Sequence, residues 1–176
     1  MSTDAIPPPA ASAPGALRWL WLSAAVVASD QLTKALVVSH LVLNEKYALL
    51  PLLELTRLHN RGAAFSFLND ASGWQHYFFV AIAVGVSAGI GWWLARAGMQ
   101  RNPLLASGLA LILGGALGNL TDRLRHGHVI DFIHFHWYDQ WAFPAFNVAD
   151  SAITIGAALV ILDALLERRR QPAGGP

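Results

Sequence analysis

Apolar residues divide the chain into four long hydrophobic segments separated by more polar connections. The segments run roughly over residues 18–40, 75–95, 103–123 and 147–167. Each is close to the ~20 residues that a helix needs to cross a bilayer core. Asn102 followed by Pro103 is typical of a helix start, because Asn caps the first turn and Pro suits the first helical position. The pattern predicts an all-α integral membrane protein with four transmembrane helices.

The first connection (about 41–74) and the third (about 124–146) are long and mix Gly, Pro, aromatic and β-branched residues. Residues 52–58 alternate partly between apolar and polar, as a short strand does. We therefore expect a small extracytoplasmic β-sheet or cap between helices 1 and 2, on the side where the long connections open.

Composition supports a membrane protein and excludes several functions. Of 176 residues, 55% are hydrophobic and 13% charged, about half the roughly 25% typical of soluble domains. A net charge of +1 is too small to indicate nucleic-acid binding, and the absence of Cys excludes disulfides and a Cys nucleophile. We expect one membrane domain at 17–167, between a disordered Pro/Ala-rich tail at 1–16 and a basic tail at 168–176.

The Lys and Arg residues near the segment ends predict the orientation. One side carries Arg18, Arg96, Arg101, Arg168, Arg169 and Arg170, and the other carries Lys46, Arg57, Arg61, Arg123 and Arg125. The first side has more of these basic residues, and its Arg run at 168–170 lies directly against the last segment. This side is therefore predicted to be cytoplasmic, and with it both termini. The two long connections then face the outside.

Polar residues at membrane depth converge on this outer side. They are Asp30 and Lys34 late in segment 1, Asn119, Asp122 and Arg123 at the end of segment 3, Asn147 and Asp150 at the start of segment 4, and Asn60 and Asp131 in the long connections. Carboxylates at the edge of hydrocarbon are expensive and are usually functional. The convergence predicts a functional site.

Several of these residues have two interpretations. Asp30 and Lys34, four residues apart on one helix face, either line a polar cavity or form a structural ion pair. Asn60 and Gly62 lie in a segment, residues 59–65, that either lets the backbone approach a ligand closely or is an ordinary turn.

Two further pairs are spaced to share a helix face. Asn119 and Arg123 would orient the aspartates or hold a carbonyl group of a bound chain, and Asn147 would place its amide near Asp150. Small residues spaced four apart are interpreted as helix-packing ridges. These are Ala110, Gly114 and Gly118, continued by Asp122, in segment 3, and Ala81, Gly85 and Gly89 in segment 2.

Asp131 and Asp150 are the candidate catalytic pair. In an extended segment the four His of residues 126–136 would lie on one face and Asp131 on the other, so we expect no metal site. Asp163, 13 residues beyond Asp150, is roughly 20 Å along the helix and too far to join them. The remaining hydrolytic option is a carboxylate dyad that shares one proton and activates water.

Two other functions stay open on these residues alone. A proton- or ion-coupled transporter would line a pathway with Asp30, Lys34, Asp131 and Asp150. However, only Asp163 lies deep in the cytoplasmic half of a segment, so no relay crosses the bilayer. A non-enzymatic scaffold would leave the cost of the polar groups unexplained.

Five motifs in order resemble the bacterial lipoprotein signal peptidase family, also called type II signal peptidase. They are Asp30-Gln-Leu-Thr-Lys34, Asn60-Arg-Gly-Ala-Ala-Phe65, Gly118-Asn119-Leu-Thr-Asp122-Arg123, Val129-Ile-Asp131-Phe132 and Phe146-Asn147-Val-Ala-Asp150. Each motif is weak by itself, but all five on four segments are specific. The resemblance covers about residues 17–167.

The resemblance implies an aspartic endopeptidase of the plasma membrane, with its site facing the extracytoplasmic side. It would remove the signal peptide from diacylglyceryl-modified prolipoproteins just before the lipid-bearing Cys, with membrane lipids as its other partners and no cofactor. Asp131 and Asp150 would form the catalytic dyad. The site and substrate would be supported by Asp30, Lys34, Asn60, Gly62, Asn119, Arg123 and Asn147.

Overall fold

The computed structural model of the chain describes residues 19–62, 73–95, 102–138 and 140–170. The expected tail at 1–16, residues 171–176 of the expected basic tail, and residues 63–65 of the Asn60 motif lie outside this part. The four predicted segments are helices: α1 (Leu20–His40), α2 (Trp74–Ala95), α3 (Pro103–His126) and α4 (Val148–Arg170). Asn102 caps α3 as predicted, since its side chain accepts a hydrogen bond from the Leu105 N–H at 3.1 Å.

Three of the four described helices, α2, α3 and α4, are long and apolar enough to cross a membrane. α1 is not among them, because Asp30, Gln31 and Lys34 lower its hydropathy. Its Asp30 and Lys34 are buried against the rest of the protein, whereas Leu32 and Leu36 are exposed. The existence of four helices is therefore confirmed, and the fourth transmembrane span stays a prediction.

α3 is the central helix and packs against α1, α2 and α4. A Cβ atom at Gly114 would come within 2.7 Å of Val26 in α1, and one at Gly118 within 2.7 Å of Asp30 in α1 and 3.3 Å of Ala149 in α4. The glycines thus allow close helix contact. The prediction of a packing ridge in segment 3 is confirmed.

The corresponding prediction for segment 2 is wrong. Among the described residues, a Cβ atom at Gly85 or Gly89 would have no neighbour within 4 Å. α2 instead contacts α3 through Ile90 and Leu94, which belong to the buried apolar cluster of the described residues. Apolar side chains, rather than the small ones, form this helix interface.

The long connections form one antiparallel sheet with strand order β1-β2-β3-β4. Its strands are β1 (Lys46–Leu50), β2 (Leu53–Asn60), β3 (Val129–Trp137) and β4 (Trp141–Ala142). The expected sheet between helices 1 and 2 is therefore only half of the sheet, because β3 and β4 follow α3. Pairing of β2 with β3 places Leu58 opposite Asp131 and Asn60 opposite Val129.

The histidines do not behave as one group. His126 ends α3, so the prediction for an extended segment does not apply to it. His134 lies in β3 and its Nδ1 is 2.6 Å from Glu54 Oε1 on the neighbouring strand, away from the aspartates. His128 stacks on His59, with 3.7 Å between the ring centroids. Within the described ranges, no three His, Asp or Glu side chains are grouped as metal ligands.

Candidate functional site

All nine predicted site residues meet where α1, α3 and α4 approach the sheet. A continuous series of hydrogen bonds and ion pairs joins them in the order Asp30, Lys34, Asn119, Asp150, Asn147, Asp131, Asn60, Gly62 and Arg123. These residues come from all five motifs of the sequence. The structure therefore brings the whole predicted set together, while their individual roles remain predictions.

The start of α4 places Asp150. The Asn147 side-chain oxygen accepts a hydrogen bond from the Asp150 N–H at 2.9 Å, and Asp150 Oδ2 accepts one from the Asn147 N–H at 3.2 Å. This reciprocal arrangement is a capping box, which satisfies two N–H groups at a helix N-terminus. Asn147 is thus the cap before the helix, not a residue on its face as the spacing suggested.

The amide of Asn147 also reaches the second carboxyl group. Its Nδ2 donates a hydrogen bond to Asp131 Oδ1 at 2.7 Å. The Asn147 side chain therefore contacts both aspartates. Its Nδ2 donates to the Asp131 carboxyl group, and its Oδ1 accepts from the Asp150 N–H. The two carboxyl groups belong to one hydrogen-bonded unit.

Asn119 connects this unit to a buried cation. Its Nδ2 donates to Asp150 Oδ1 at 2.8 Å, and its Oδ1 accepts from Lys34 Nζ at 3.1 Å. Because the ammonium group only donates, it determines which end of the amide faces Lys34. The Asn119 amide nitrogen consequently faces Asp150.

Asp131 is buried, with 3% of its surface exposed. Its Oδ2 accepts a hydrogen bond from Asn60 Nδ2 at 3.0 Å. Burial, followed by the negative charge of Asp150, raises the pKa of Asp131 from 3.8 to about 7. Burial disfavours the charged form, and a neighbouring carboxylate disfavours it again. Asp131 can therefore hold a proton near neutral pH.

Lys34 forms two ion pairs rather than the single one considered above. Its Nζ lies 2.8 Å from Asp30 Oδ2 and 2.7 Å from Asp122 Oδ2. Gln31 Nε2 donates to Asp122 Oδ1 at 2.9 Å. Neither Asp122 nor Gln31 was among the nine predicted site residues, although both lie inside the quoted motifs and Asp122 was one of the converging polar residues. The sequence did contain a signal for Asp122, because it continues the ridge of small residues that packs α3 against its neighbours.

Arg123 completes the other end of the site. Its Nη2 donates to the Gly62 carbonyl oxygen at 3.0 Å, and its guanidinium lies 5.3 Å from the centre of the Phe79 ring. Gly62 in turn donates its N–H to Asn60 Oδ1 at 2.9 Å. Arg123 therefore holds a carbonyl of the protein itself and supports the turn that positions Asn60.

A cavity of about 630 Å³ opens beside Asp150. Its polar lining includes Asn60, Asn119, Arg123 and Asp150, and its apolar lining includes Phe143, Phe146 and Ile153. The cavity is large enough for several residues of a peptide or for part of a lipid. Its apolar walls adjoin a helix that is long enough to cross a membrane.

Apolar helices, paired carboxyl groups and an adjoining apolar cavity together define the class of a membrane hydrolase of the aspartic type. Residues 22–166 match the family model described as "Signal peptidase (SPase) II". The chain therefore belongs to the signal peptidase II family. Membership favours the enzyme over the transporter and the scaffold.

Curated relatives and solved structures agree with this assignment. The chain is 52% identical over 157 residues to the lipoprotein signal peptidase of Pseudomonas fluorescens strain Pf-5, covering 89% of this chain and 92% of the relative. It is 50% identical over 149 residues to that of Shewanella woodyi, covering 85% and 84%. A solved structure described as a bacterial membrane enzyme superposes with a TM-score of 0.77 at 29% identity, covering 90% of this chain and 94% of that one.

Proposed function

We propose that the chain is an aspartic endopeptidase that removes the signal peptide from diacylglyceryl-modified prolipoproteins, cleaving just before the lipidated Cys. Asp131 and Asp150 form its catalytic dyad, called the dyad below. The observation that carries this assignment is that Asn147 bridges the two carboxyl groups. Its side-chain amide donates to the buried Asp131 carboxyl group, and its backbone N–H donates to the Asp150 carboxyl group in the first turn of α4. Family membership supports the reaction class.

The dyad shares one proton. The ionised carboxylate takes a proton from a water molecule, which attacks the scissile carbonyl carbon, while the neutral carboxyl donates its proton to the carbonyl oxygen. The raised pKa of Asp131, about 7, allows one proton to stay on the pair at neutral pH. Because the titrations are coupled, this proton belongs to the pair.

The surrounding amides keep the dyad in place. Asn60 and Asn147 donate to Asp131, and Asn119 donates to Asp150. Hydrogen bonds that are formed before the substrate arrives need no reorganisation during the reaction. We assign these three residues to orientation of the dyad, and Arg123 with Gly62 to the support of Asn60.

The cavity beside the dyad accommodates the substrate segment around the scissile bond. Phe143, Phe146 and Ile153 provide apolar contacts, and the acyl chains on the neighbouring Cys anchor the substrate in the membrane. Each buried CH₂ contributes roughly 0.8 kcal/mol, so two chains anchor far better than one. The lipid anchor therefore sets the depth of the scissile bond beside the dyad.

The site faces the extracytoplasmic side of the bacterial inner membrane, both termini are cytoplasmic, and α1 is the fourth span. The inward-facing ion pairs and exposed leucines of α1 support a lipid-facing outer surface. Because the chain has no Cys, the exposed Gln140 and Glu167 can each be replaced by Cys and treated with a membrane-impermeant thiol reagent on outer-permeabilised cells. Labelling of Gln140→Cys alone is expected, and labelling of Glu167→Cys alone would invert this topology.

The function is tested with purified protein and one precursor prepared with and without its diacylglyceryl group. The lipidated form should yield the product shortened by the signal peptide. Without the lipid, kcat/KM should fall at least about tenfold, equivalent to about 1.4 kcal/mol of transition-state stabilisation. Equal kcat/KM for both forms would contradict lipid-dependent positioning and favour a general intramembrane protease.

A further inference from the structure

The residue directly before each dyad aspartate donates its backbone N–H to a buried carboxylate. The Ala149 N–H, one position before Asp150, donates to Asp30 Oδ1 at 2.9 Å. The Ile130 N–H, one position before Asp131, donates to Asp122 Oδ2 at 3.1 Å. The start of α4 and the start of β3 are therefore attached in the same way to two different helices, α1 and α3.

Lys34 joins these two carboxylates to each other. Its ammonium lies 2.8 Å from Asp30 Oδ2 and 2.7 Å from Asp122 Oδ2, and all three side chains are at most 2% exposed. Gln31 Nε2 also donates to both, at 3.2 Å to Asp30 Oδ2 and 2.9 Å to Asp122 Oδ1. All four carboxylate oxygens thus take part in hydrogen bonds or ion pairs, which hold both carboxylates in place.

The absence of a side chain at Gly118 leaves space for the Asp30 carboxylate. A Cβ atom at residue 118 would lie 2.7 Å from Asp30 Oδ2 and 3.3 Å from Ala149 Cβ. Any larger residue would therefore displace Asp30 or the start of α4. The close approach of α3 to α1 and α4 lets the two carboxylates share one ammonium.

We propose that Asp122 is a positioning residue for the hydrolysis. Together with Asp30 and Lys34 it forms a unit, called the Lys34 clamp, that sets the separation of the two dyad carboxyl groups by holding the backbone before each of them. The proposal rests on the proposed dyad. Asp122 touches neither dyad carboxyl and acts through the Ile130 N–H.

The charge count allows this role to be tested without loss of the fold. Removing one partner of a buried ion pair is costly mainly when it leaves the other charge without a partner. The clamp contains two carboxylates and one ammonium, so removal of Asp122 leaves Lys34 paired with Asp30. No uncompensated buried charge results, and Asp122 variants are expected to fold.

The experiment compares Asp122→Ala and Asp122→Asn with the wild-type protein on the lipidated precursor. Small displacements of reacting groups cost about a hundredfold in rate, so Asp122→Ala should lose about that much in kcat with little change in KM. Asp122→Asn retains an oxygen acceptor for the Ile130 N–H and should recover part of the loss. A merely structural role would change the thermal stability without this difference in kcat per folded molecule.

Asp163→Ala is the matched control. Asp163 is also a buried carboxylate and accepts a hydrogen bond from Asn102 at 2.8 Å, but it lies near the other end of α4. This variant should lose thermal stability and keep its kcat. An equal loss of kcat in Asp163→Ala would overturn the proposal, because it would indicate a general response to lost stability.

Wild-type kcat in Asp122→Ala would also overturn the proposal. If that variant does not fold, Asp122→Leu, which is close to Asp in size and offers no acceptor to the Ile130 N–H, takes its place, and wild-type kcat in it has the same consequence. Asp131→Asn and Asp150→Asn are measured in parallel. Activity in either of them would refute the dyad itself, whereas inactive dyad variants beside a fully active Asp122→Ala would refute the clamp alone.

Discussion

Asn147 and Asp150 cap each other at the start of α4, the side chain of each accepting a hydrogen bond from the backbone N–H of the other at 2.9 and 3.2 Å. The Asn147 amide remains available and donates to Asp131. The residue pair that caps the start of α4 therefore also links the carboxyl groups of Asp131 and Asp150. Helix capping and active-site assembly share one pair of residues.

Substitution of Asn147 can separate these two roles. Ser is also a good N-cap and keeps a hydrogen-bond acceptor for the third helical N–H, but it has no amide for Asp131. We expect Asn147→Ser to keep most of its thermal stability and lose most of its activity. Asn147→Ala should lose both, including about 0.5–2 kcal/mol of capping energy. Equal activity of Asn147→Ser and wild type would show that the bridge to Asp131 is dispensable.

Asp131→Asn and Asp150→Asn should each abolish cleavage while the protein still inserts and folds. An amide cannot act as the base, and the pair can no longer exchange a proton. Cleavage of a lipidated precursor is measured beside thermal unfolding of each variant in detergent. Glu54→Gln is a control, since this carboxyl pairs with Lys46 and His134 on the sheet. Substantial turnover by either Asn variant would refute the assignment of Asp131 and Asp150 as the catalytic dyad.

The rate should decline on the alkaline side of neutrality. Below about pH 7 the dyad holds one proton, and above it both carboxyl groups are ionised. The pair then lacks the proton that the carbonyl oxygen requires, so kcat should fall as the pH rises through about 7. Initial rates on one lipidated precursor from about pH 5 to pH 9 provide the profile. A kcat that stays constant across pH 7 would contradict the assigned protonation.

The same titration affects stability in a defined direction. The folded pKa of Asp131, about 7, is above its ordinary value of 3.8, so the folded state binds more protons between these values. The contribution of Asp131 to stability is greatest at low pH and is lost as the pH rises toward 7. Thermal unfolding of wild type and Asp131→Asn across this range should show that the variant lacks this part of the pH dependence.

Glycines in two helices should respond differently to the same substitution. Gly118→Ala places a methyl group 2.7 Å from Asp30 Oδ2, so it should reduce both stability and activity. Gly89→Ala is the matched control, because a Cβ atom there has no neighbour within 4 Å in the part of the chain that the structure describes. Thermal unfolding and cleavage assays of both variants test the prediction. Tolerance of Gly118→Ala would mean that α3 can move away from α1 without consequence.

Local chemistry determined much of the helical structure. Long apolar segments form helices because internal hydrogen bonding is the simplest way to satisfy backbone groups in lipid. Asn102 with Pro103 marked the start of α3 correctly, since capping depends only on neighbouring residues. The gathering of polar residues at one end followed from the alternation of segments, and the structure does bring Asp30, Asn119 and Asp150 together.

Longer-range relations could not be predicted from local pattern. The sheet joins strands about 70 residues apart, so alternation within residues 52–58 did not reveal that β2 pairs with β3. Small residues in α2 and α3 have the same spacing, but within the described ranges only those of α3 lie at close contacts. In lipid, apolar side chains gain little by turning inward, so hydrophobicity does not select the buried face.

The sequence alone therefore determined the number of helices, the cap of α3 and the residue types of the site. Only the tertiary structure decided that Asp122 shares Lys34 with Asp30, and that Asn147 bridges Asp131 and Asp150. Periodicity depends on the nearest few residues along the chain. An ion pair between α1 and α3 depends on how two helices approach each other, and that approach is determined by the packing of the glycines and polar groups between them.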